Sequence, residues 1–312
     1  MLYGKYIFSC IFKDEAVLPY YKGSTFRGVF GTALKKVVCA LKSKDCSECL
    51  LKYKCIYSHV FETPSSAEDP QDTRIAAPPH PFVIEPPLTT ETHFNQDDPF
   101  DFQLILFGQS NDYLPYFIYA FEQMGKIGIG KRINGKRAQF TLGNITAKKK
   151  KIYTHKDNTL KSGNFCHSLK LHKCKTSKNA QDIKIIIETP LRLKFENRLK
   201  ADLPFHVLVR AMLRRMSSLF NYYGDGEPDL DYKGMVNKAK EIQIMNPNLH
   251  WFDWRRYSRR QDQEMLMGGI TGSITYSGHL GEYIPLIELC SKLHIGKQTT
   301  FGLGKFGMEM SS

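Results

Sequence analysis

One local order of elements occurs twice in this chain, and it restricts the folds open to it. Gly125-Lys126-Ile127-Gly128-Ile129-Gly130-Lys131-Arg132 follows a helix expected over 112–124 and precedes a strand expected over 138–146. About 170 residues later a helix expected over 283–293, with Pro285 tolerated in its first turn, leads into Ile295-Gly296-Lys297-Gln298-Thr299-Thr300-Phe301-Gly302-Leu303-Gly304-Lys305-Phe306-Gly307 and a last strand. With the elements upstream, each half reads strand, helix, two strands, helix, strand. That is the ferredoxin-like split βαβ order. The expected fold class is therefore α+β, two tandem ferredoxin-like domains with a C-terminal glycine-rich loop. Boundaries are expected at 1–146, a basic linker or hairpin at 147–181, and 182–312.

The elements themselves come from periodicity. Residues 4–12 are apolar and β-prone. Phe26, Phe30, Ala33, Leu34, Val37, Val38 and Leu41 then recur at helical spacing, with Arg27, Lys35 and Lys36 on the solvated side. Residues 62–87 hold seven of the fifteen prolines with Ser65, Ser66, Glu68, Asp69 and Asp72, and read as an exposed excursion ending in a strand near 82–85. A stronger strand over 100–107 precedes the 112–124 helix, for which Asp112 is the expected N-cap. In the second half a strand is expected over 183–195, with Pro190 as a bulge or edge position. The clearest helix follows: Phe205, Leu208, Val209, Met212, Leu213, Met216, Leu219 and Phe220 form one stripe, with His206, Arg210, Arg214 and Asn221 opposite.

Charge divides the chain unevenly. Residues 1–145 carry 16 Lys+Arg against 15 Asp+Glu, whereas residues 146–312 carry 28 against 16. An excess confined to one half suits a phosphate backbone or an anionic membrane surface. Trp251-Phe252-Asp253-Trp254-Arg255-Arg256-Tyr257-Ser258-Arg259-Arg260 interleaves arginine with aromatic rings, a pattern that grips phosphate and stacks on bases. The glycine-rich stretch matches neither common nucleotide motif. Only five residues follow Gly307, and Phe306 stands after Gly304-Lys305 where a phosphate loop needs Ser or Thr. It reads as a bare glycine loop whose N–H groups can face a polyanion, with Lys297 and Lys305 adding charge, or as a turn before the last strand.

Half of the eight cysteines fall within 17 residues, at Cys39, Cys46, Cys49 and Cys55. A C-x-x-C knuckle with a thiolate on either side is expected to hold a structural zinc or an iron–sulfur cluster, four unligated thiols being the alternative. The first apolar run, residues 6–12, is cut short by Lys13-Asp14-Glu15, so a cytoplasmic chain without signal peptide or membrane span is expected.

Trp254-Arg255-Arg256-Tyr257-Ser258-Arg259-Arg260-Gln261, Gly268-Gly269-Ile270-Thr271-Gly272, His294-Ile295-Gly296-Lys297 and Phe301-Gly302-Leu303-Gly304-Lys305 together resemble the CRISPR-associated endoribonucleases that process precursor CRISPR RNA. Phe26-Arg27-Gly28-Val29-Phe30-Gly31-Thr32-Ala33-Leu34, the four-cysteine segment and Phe61-Glu62 resemble the N-terminal signature of one branch of that family. The family belongs to the RAMP superfamily of RNA-gripping paired domains. The resemblance implies metal-independent cleavage, in which a ribose 2'-hydroxyl attacks the adjacent phosphate to leave a 2',3'-cyclic phosphate and a 5'-hydroxyl, with no cofactor for cleavage. It also implies CRISPR repeat RNA as partner, other CRISPR effector subunits as further partners, and a monomer or homodimer. Thr32 occupies a position where such proteins often carry a histidine, which leaves His59 with Tyr57, and His294 with Lys297, as catalytic candidates. The expected RNA ligands are Lys131, Arg132, Arg210, Arg214, Arg255, Arg256, Arg259, Gly296, Lys297, Gly302, Gly304 and Lys305. A RAMP-type RNA-binding subunit without catalysis is the alternative, and a metal-sensing centre at the cysteines is a third reading.

Overall fold

A computed structural model describes residues 1–42, 45–64, 78–171, 182–193, 203–258 and 263–310, with no side-chain description at 256–258 and 263–264. Two compact units emerge, Met1–Ser168 with Tyr222–Gly224, and Leu169–Asn221 with Asp225–Ser312.

In the first unit β1 (Leu2–Phe12) runs to a short β2 (Ala16–Val17) and α1 (Gly23–Val38). Then come β3 (Phe82–Glu85), β4 (His93–Phe94), β5 (Pro99–Phe107) and α2 (Leu114–Ile127). A β6 (Ile129–Ile133) and β7 (Lys136–Ala138) ribbon precedes β8 (Phe140–Ala147), β9 (Lys150–Thr154), β10 (Thr159–Leu160) and β11 (His167–Ser168). The main sheet has the order β10-β9-β8-β1-β5-β3. Its β8-β1-β5-β3 core is the antiparallel 4-1-3-2 arrangement of a ferredoxin-like domain.

Alternation builds this sheet. Tyr6, Phe8, Cys10 and Phe12 of β1 are buried, while Ile7 and Ile11 turn outward. The inner row meets α1 and α2 through aromatic rings: Phe8 stacks on Phe102 at 4.8 Å, and Phe30 of α1 stacks on Phe121 of α2 at 4.3 Å. Contacts of this kind add roughly 0.5–1.5 kcal/mol each beyond the area they bury.

The second unit repeats the plan with β12 (Asp182–Leu191), α3 (Phe205–Tyr223), a short α4 (Tyr232–Lys238), β13 (Gln243–Ser258), β14 (Gln263–Ser277), α5 (Ile284–Cys290) and β15 (Phe306–Met310). The sheet order β13-β14-β12-β15 is again 4-1-3-2. All eight residues of the expected α3 stripe are buried, and Arg210 and Arg214 are exposed. Pro190 lies where the β12–β14 register shifts, between Ile187 and Leu191. β13 and β14 pair from Gln243–Ser277 to Ser258–Gln263.

Several local expectations are corrected. Asp112 does not cap α2: a 3-10 turn over Gly108–Tyr113 feeds the helix, Tyr113 makes no side-chain cap bond, and proline in the first turn starts it. α1 ends at Val38, where Cys39 turns extended, so Leu41 lies beyond it and is exposed. The first glycine-rich stretch is not a loop. Gly125 lies inside α2, where an added Cβ would stand 2.3 Å from the Phe140 carbonyl oxygen, and 129–133 form β6. By contrast, residues 150–160 form the β9–β10 hairpin within the stretch expected as a basic linker or hairpin. The prolines and acids between 65 and 77 lie outside the described residues.

Candidate functional site

In the first unit the chain beyond the cysteines closes into a wide turn at Ser58–Glu62, with the Thr63 N–H donating to Ser58 O at 2.8 Å and Thr63 in the left-handed region. Such π-turns recur at functional sites. His59 stands on this turn, half-buried, with Nε2 3.4 Å from the hydroxyl of the fully buried Ser110 and its ring edge-on to Tyr113. Burial lowers its pKa below the ordinary 6.5, so the imidazole is neutral at pH 7. A neutral imidazole is the form that accepts a proton.

Tyr57 is part of a run of ring contacts. The Arg27 guanidinium lies 4.8 Å from the Phe61 centroid, Phe61 stacks on Tyr57 at 5.1 Å and 9°, and the Lys35 ammonium is 5.4 Å from the Tyr57 centroid. Two helix cations expected to be solvated therefore brace the turn carrying His59. Burial, helped by the Glu62 carboxylate, raises the Tyr57 pKa and keeps its phenol protonated. The Thr32 hydroxyl donates back to Gly28 O at 3.2 Å on the helix.

The second unit holds the glycine loop, and its hydrogen bonds turn inward. Ile295 N–H donates to Gly304 O (3.0 Å), Gly304 N–H to Pro190 O (3.2 Å), Gly302 N–H to Thr299 O (2.8 Å) and Lys297 N–H to Arg192 O (3.0 Å). Thr189 Oγ1 donates to Gly302 O and accepts from Lys305 N–H, both at 2.8 Å. The N–H groups of Gly302, Gly304 and Lys305 are thus spent within the fold rather than offered to a polyanion. Gly304 is needed for its path: at φ +73° an added Cβ would stand 1.8 Å from Ile295 O.

His294 has no exposed surface, adopts a left-handed φ of 53°, and its Nδ1 lies 3.0 Å from Leu303 O. In this place it fastens the loop. Arg215 caps the chain there, donating from Nε to His294 O at 3.1 Å and from Nη2 to Leu293 O at 3.2 Å. Lys305 pairs with Glu188 at 3.0 Å. Lys297 is exposed, and Gly296 sits beside it at φ +85°.

Cationic surface remains elsewhere. Arg210 and Arg214 are exposed on α3, and Arg210 with Lys240 adds to burial in lowering the His206 pKa, a sign of a positive local field. Arg255 is exposed on β13, where the Trp251 indole donates to Asp253 at 2.7 Å. Lys131 and Arg132 are exposed on the β6–β7 ribbon, whose tip is Asn134-Gly135. The Arg256 side chain and Arg259 lie outside the described residues.

The four cysteines are half-buried free thiols, with Cys46 hydrogen-bonded to Lys35. Among the described residues no three His, Cys, Asp or Glu side chains converge as a metal-ligand group. The thiols as placed do not fit a zinc or iron–sulfur centre. The C-x-x-C turn forms, with Cys49 N–H 3.4 Å from Cys46 O, but Cys39 and Cys55 do not complete the set.

Sequence reasoning missed Ser110, Thr189 and Arg215. Each acts across more than 50 residues, and no local pattern marks such a partner.

Both units are ferredoxin-like, and the second ends in a glycine loop. Residues 1–165 match the AF_1859_N N-terminal domain model, and residues 185–306 match the model for the CRISPR-associated endoribonuclease Cas6. The chain belongs to the first family over more than half its length and is a CRISPR-associated, Cas6-type protein. It is 25% identical over 293 residues, covering 93% of this chain and 92% of the relative, to an uncharacterized protein of Archaeoglobus fulgidus. Its fold is similar to that of a Cas6 product complex (TM-score 0.57, 12% identity, 98% of this chain and 100% of that one). It is also similar to Thermus thermophilus Cas6 (0.55, 11%, 99% and 98%) and to a partial Cas6-RT-Cas1–Cas2 complex (0.58, 15%, 99% and 46%). No helix among the described residues is long and apolar enough to cross a membrane.

Proposed function

We propose that this chain cuts precursor CRISPR RNA within its repeats, without a metal ion. The ribose 2'-oxygen bonds to the adjacent phosphorus as its proton passes to a base. The bond from phosphorus to the 5'-oxygen breaks, and that oxygen takes up a proton. The products are a 2',3'-cyclic phosphate and a 5'-hydroxyl. Such a reaction needs a base, an acid and cations facing the developing charge.

The observation that carries this reading, beside the family, is His59: half-buried, neutral at pH 7 and held at Ser110. It serves as the base. Arg210, Arg214, Arg255, Lys131 and Arg132 grip the RNA backbone, Lys297 meets phosphate beside the glycine loop, and His294 keeps that loop in shape. The solved neighbours include a Cas6 product complex and a Cas6-RT-Cas1–Cas2 complex, which supports RNA as ligand and other CRISPR proteins as partners.

Incubation with repeat RNA in excess EDTA tests the reading. Cleavage with cyclic-phosphate ends is expected. Tight binding without cleavage would instead favour a non-catalytic RNA-binding subunit, a reading that Thr32 and the burial of His294 support. A structural zinc or iron–sulfur cluster at Cys39, Cys46, Cys49 and Cys55 is a separate proposal. It requires a more closed loop than the one described, and a folded, metal-free preparation would remove it.

A further inference from the structure

Beside the glycine loop, two polar side chains of the second unit converge on a poor partner. Arg192, just past the end of β12, directs Nη1 at the Met267 sulfur at 3.7 Å, and the Gln298 carboxamide directs Nε2 at the same sulfur at 3.9 Å. A thioether is a weak acceptor. Arg192 Nε and Gln298 Oε1 are buried atoms with no hydrogen-bond partner. Unsatisfied groups of this kind are uncommon in native interiors and call for a physical reason.

The backbone holds the pair in place. Gln298 adopts a left-handed φ of 61°, with its carbonyl accepting from Phe301 N–H at 3.0 Å, and the Arg192 carbonyl accepts from Lys297 N–H. Both residues are only partly buried, so a ligand can reach their surface, and the carboxamide turns to present its buried oxygen to that ligand. Burial weakens the hold of Arg192 on its proton, an effect the nearby Asp253 carboxylate opposes, and the guanidinium stays cationic.

We infer that Arg192 and Gln298 read one unpaired guanine base of the bound RNA, an inference that rests on the function proposed above. The chemistry selects the base. A phosphate would satisfy the donors of Arg192 and the Gln298 Nε2 but leave Gln298 Oε1 without a donor. Guanine offers O6 and N7 acceptors to a guanidinium, the commonest specific arginine contact with a base, and N1–H and N2–H donors to a carboxamide oxygen. Lys297 lies beside the pair to meet the neighbouring phosphate. Met267 is then the floor on which both side chains rest when RNA is absent.

The test is a binding scan with the full chain and repeat RNAs in which each guanosine is replaced in turn by adenosine or an abasic residue. The wild type is expected to lose about tenfold or more at one position. Arg192→Ala and Gln298→Ala should bind the unmodified RNA weaker by a similar factor and be indifferent to replacement at that position. Gln298→Asn, which tolerates the left-handed backbone, keeps the loop intact and should show the same indifference. Equal losses for wild type and variants at every position would overturn the guanine contact while leaving RNA binding standing. Failure of the wild type to bind any repeat RNA would overturn the functional reading and this inference with it.

Discussion

Gly304→Ala is the sharpest perturbation of the second unit, and its cost follows from the backbone. An alanine at φ +73° loses about 1–2 kcal/mol to left-handed strain. Its Cβ would stand 1.8 Å from Ile295 O, a backbone atom that must retreat by more than about 1 Å to reach ordinary contact. That movement strips the Ile295-to-Gly304 and Gly304-to-Pro190 hydrogen bonds, each worth about 1 kcal/mol net. The sum is about 3–4 kcal/mol, a large share of the roughly 5–15 kcal/mol that holds a domain folded. Gly28→Ala is the matched control. Gly28 lies in α1 with open space where a Cβ would go, so alanine there should stabilise by about 0.5–1 kcal/mol. Urea denaturation reads both changes. The two tryptophans, Trp251 and Trp254, lie in the second unit and report the Gly304 variant by fluorescence, while circular dichroism follows the Gly28 variant. A Gly304→Ala midpoint within about 1 kcal/mol of the wild type would refute the confined path assigned to the loop.

Other consequences follow from the same geometry. Since burial lowers the His59 pKa, kcat/KM for repeat cleavage should be flat near neutrality and fall on acidification with a midpoint below 6.5, and a midpoint above it would remove His59 as the base. The sign for stability is the same: the unfolded chain takes up this proton first, so His59 favours the folded state above the unfolded pKa, and that contribution is lost as pH falls through the folded one. Arg210→Ala with Arg214→Ala should reduce the slope of log affinity against log salt by about 1.4 if each meets one phosphate of a single strand, and an unchanged slope would take both off the RNA. In native protein free of metal, Cys39, Cys46, Cys49 and Cys55 should react with a thiol reagent, whereas Cys10 and Cys290, buried with thiol pKa values pushed up, should not. Protection of the first four until a chelator is added would mean that they hold a metal.

Much of the fold was legible because its determinants are local and periodic. The α3 stripe follows from side-chain spacing, the strand character of β1 from its apolar, β-prone run and the irregularity at Pro190 from a residue with no N–H for the ladder, and the doubled element order anticipated two sheets of one topology. The site was less legible because glycine content does not say which way a loop faces. The last glycine stretch reads equally as a polyanion cradle or as a turn before the last strand, and Thr189 and Pro190, over a hundred residues earlier, take up its backbone groups. Gly125, alike in sequence, lies inside a helix and is glycine because the Phe140 carbonyl leaves no room for a larger residue. His294 drew notice as a histidine beside lysine and glycine, but burial and a carbonyl partner give it structural work. Sequence did not show the distant Ser110 at His59, and it placed Arg27 and Lys35 in solvent because helical spacing cannot reveal Phe61 and Tyr57 packing beneath them.

The most direct measurement is single-turnover cleavage of repeat RNA in EDTA, with a deoxyribose placed just upstream of each candidate bond in turn, by the wild type and by His59→Ala. The account predicts that the wild type cuts the all-ribose RNA, that one deoxy position alone abolishes the cut, and that His59→Ala folds and binds but cuts at least about a hundredfold more slowly. Cleavage that survives the deoxy substitution, or that appears only with added magnesium, would contradict it.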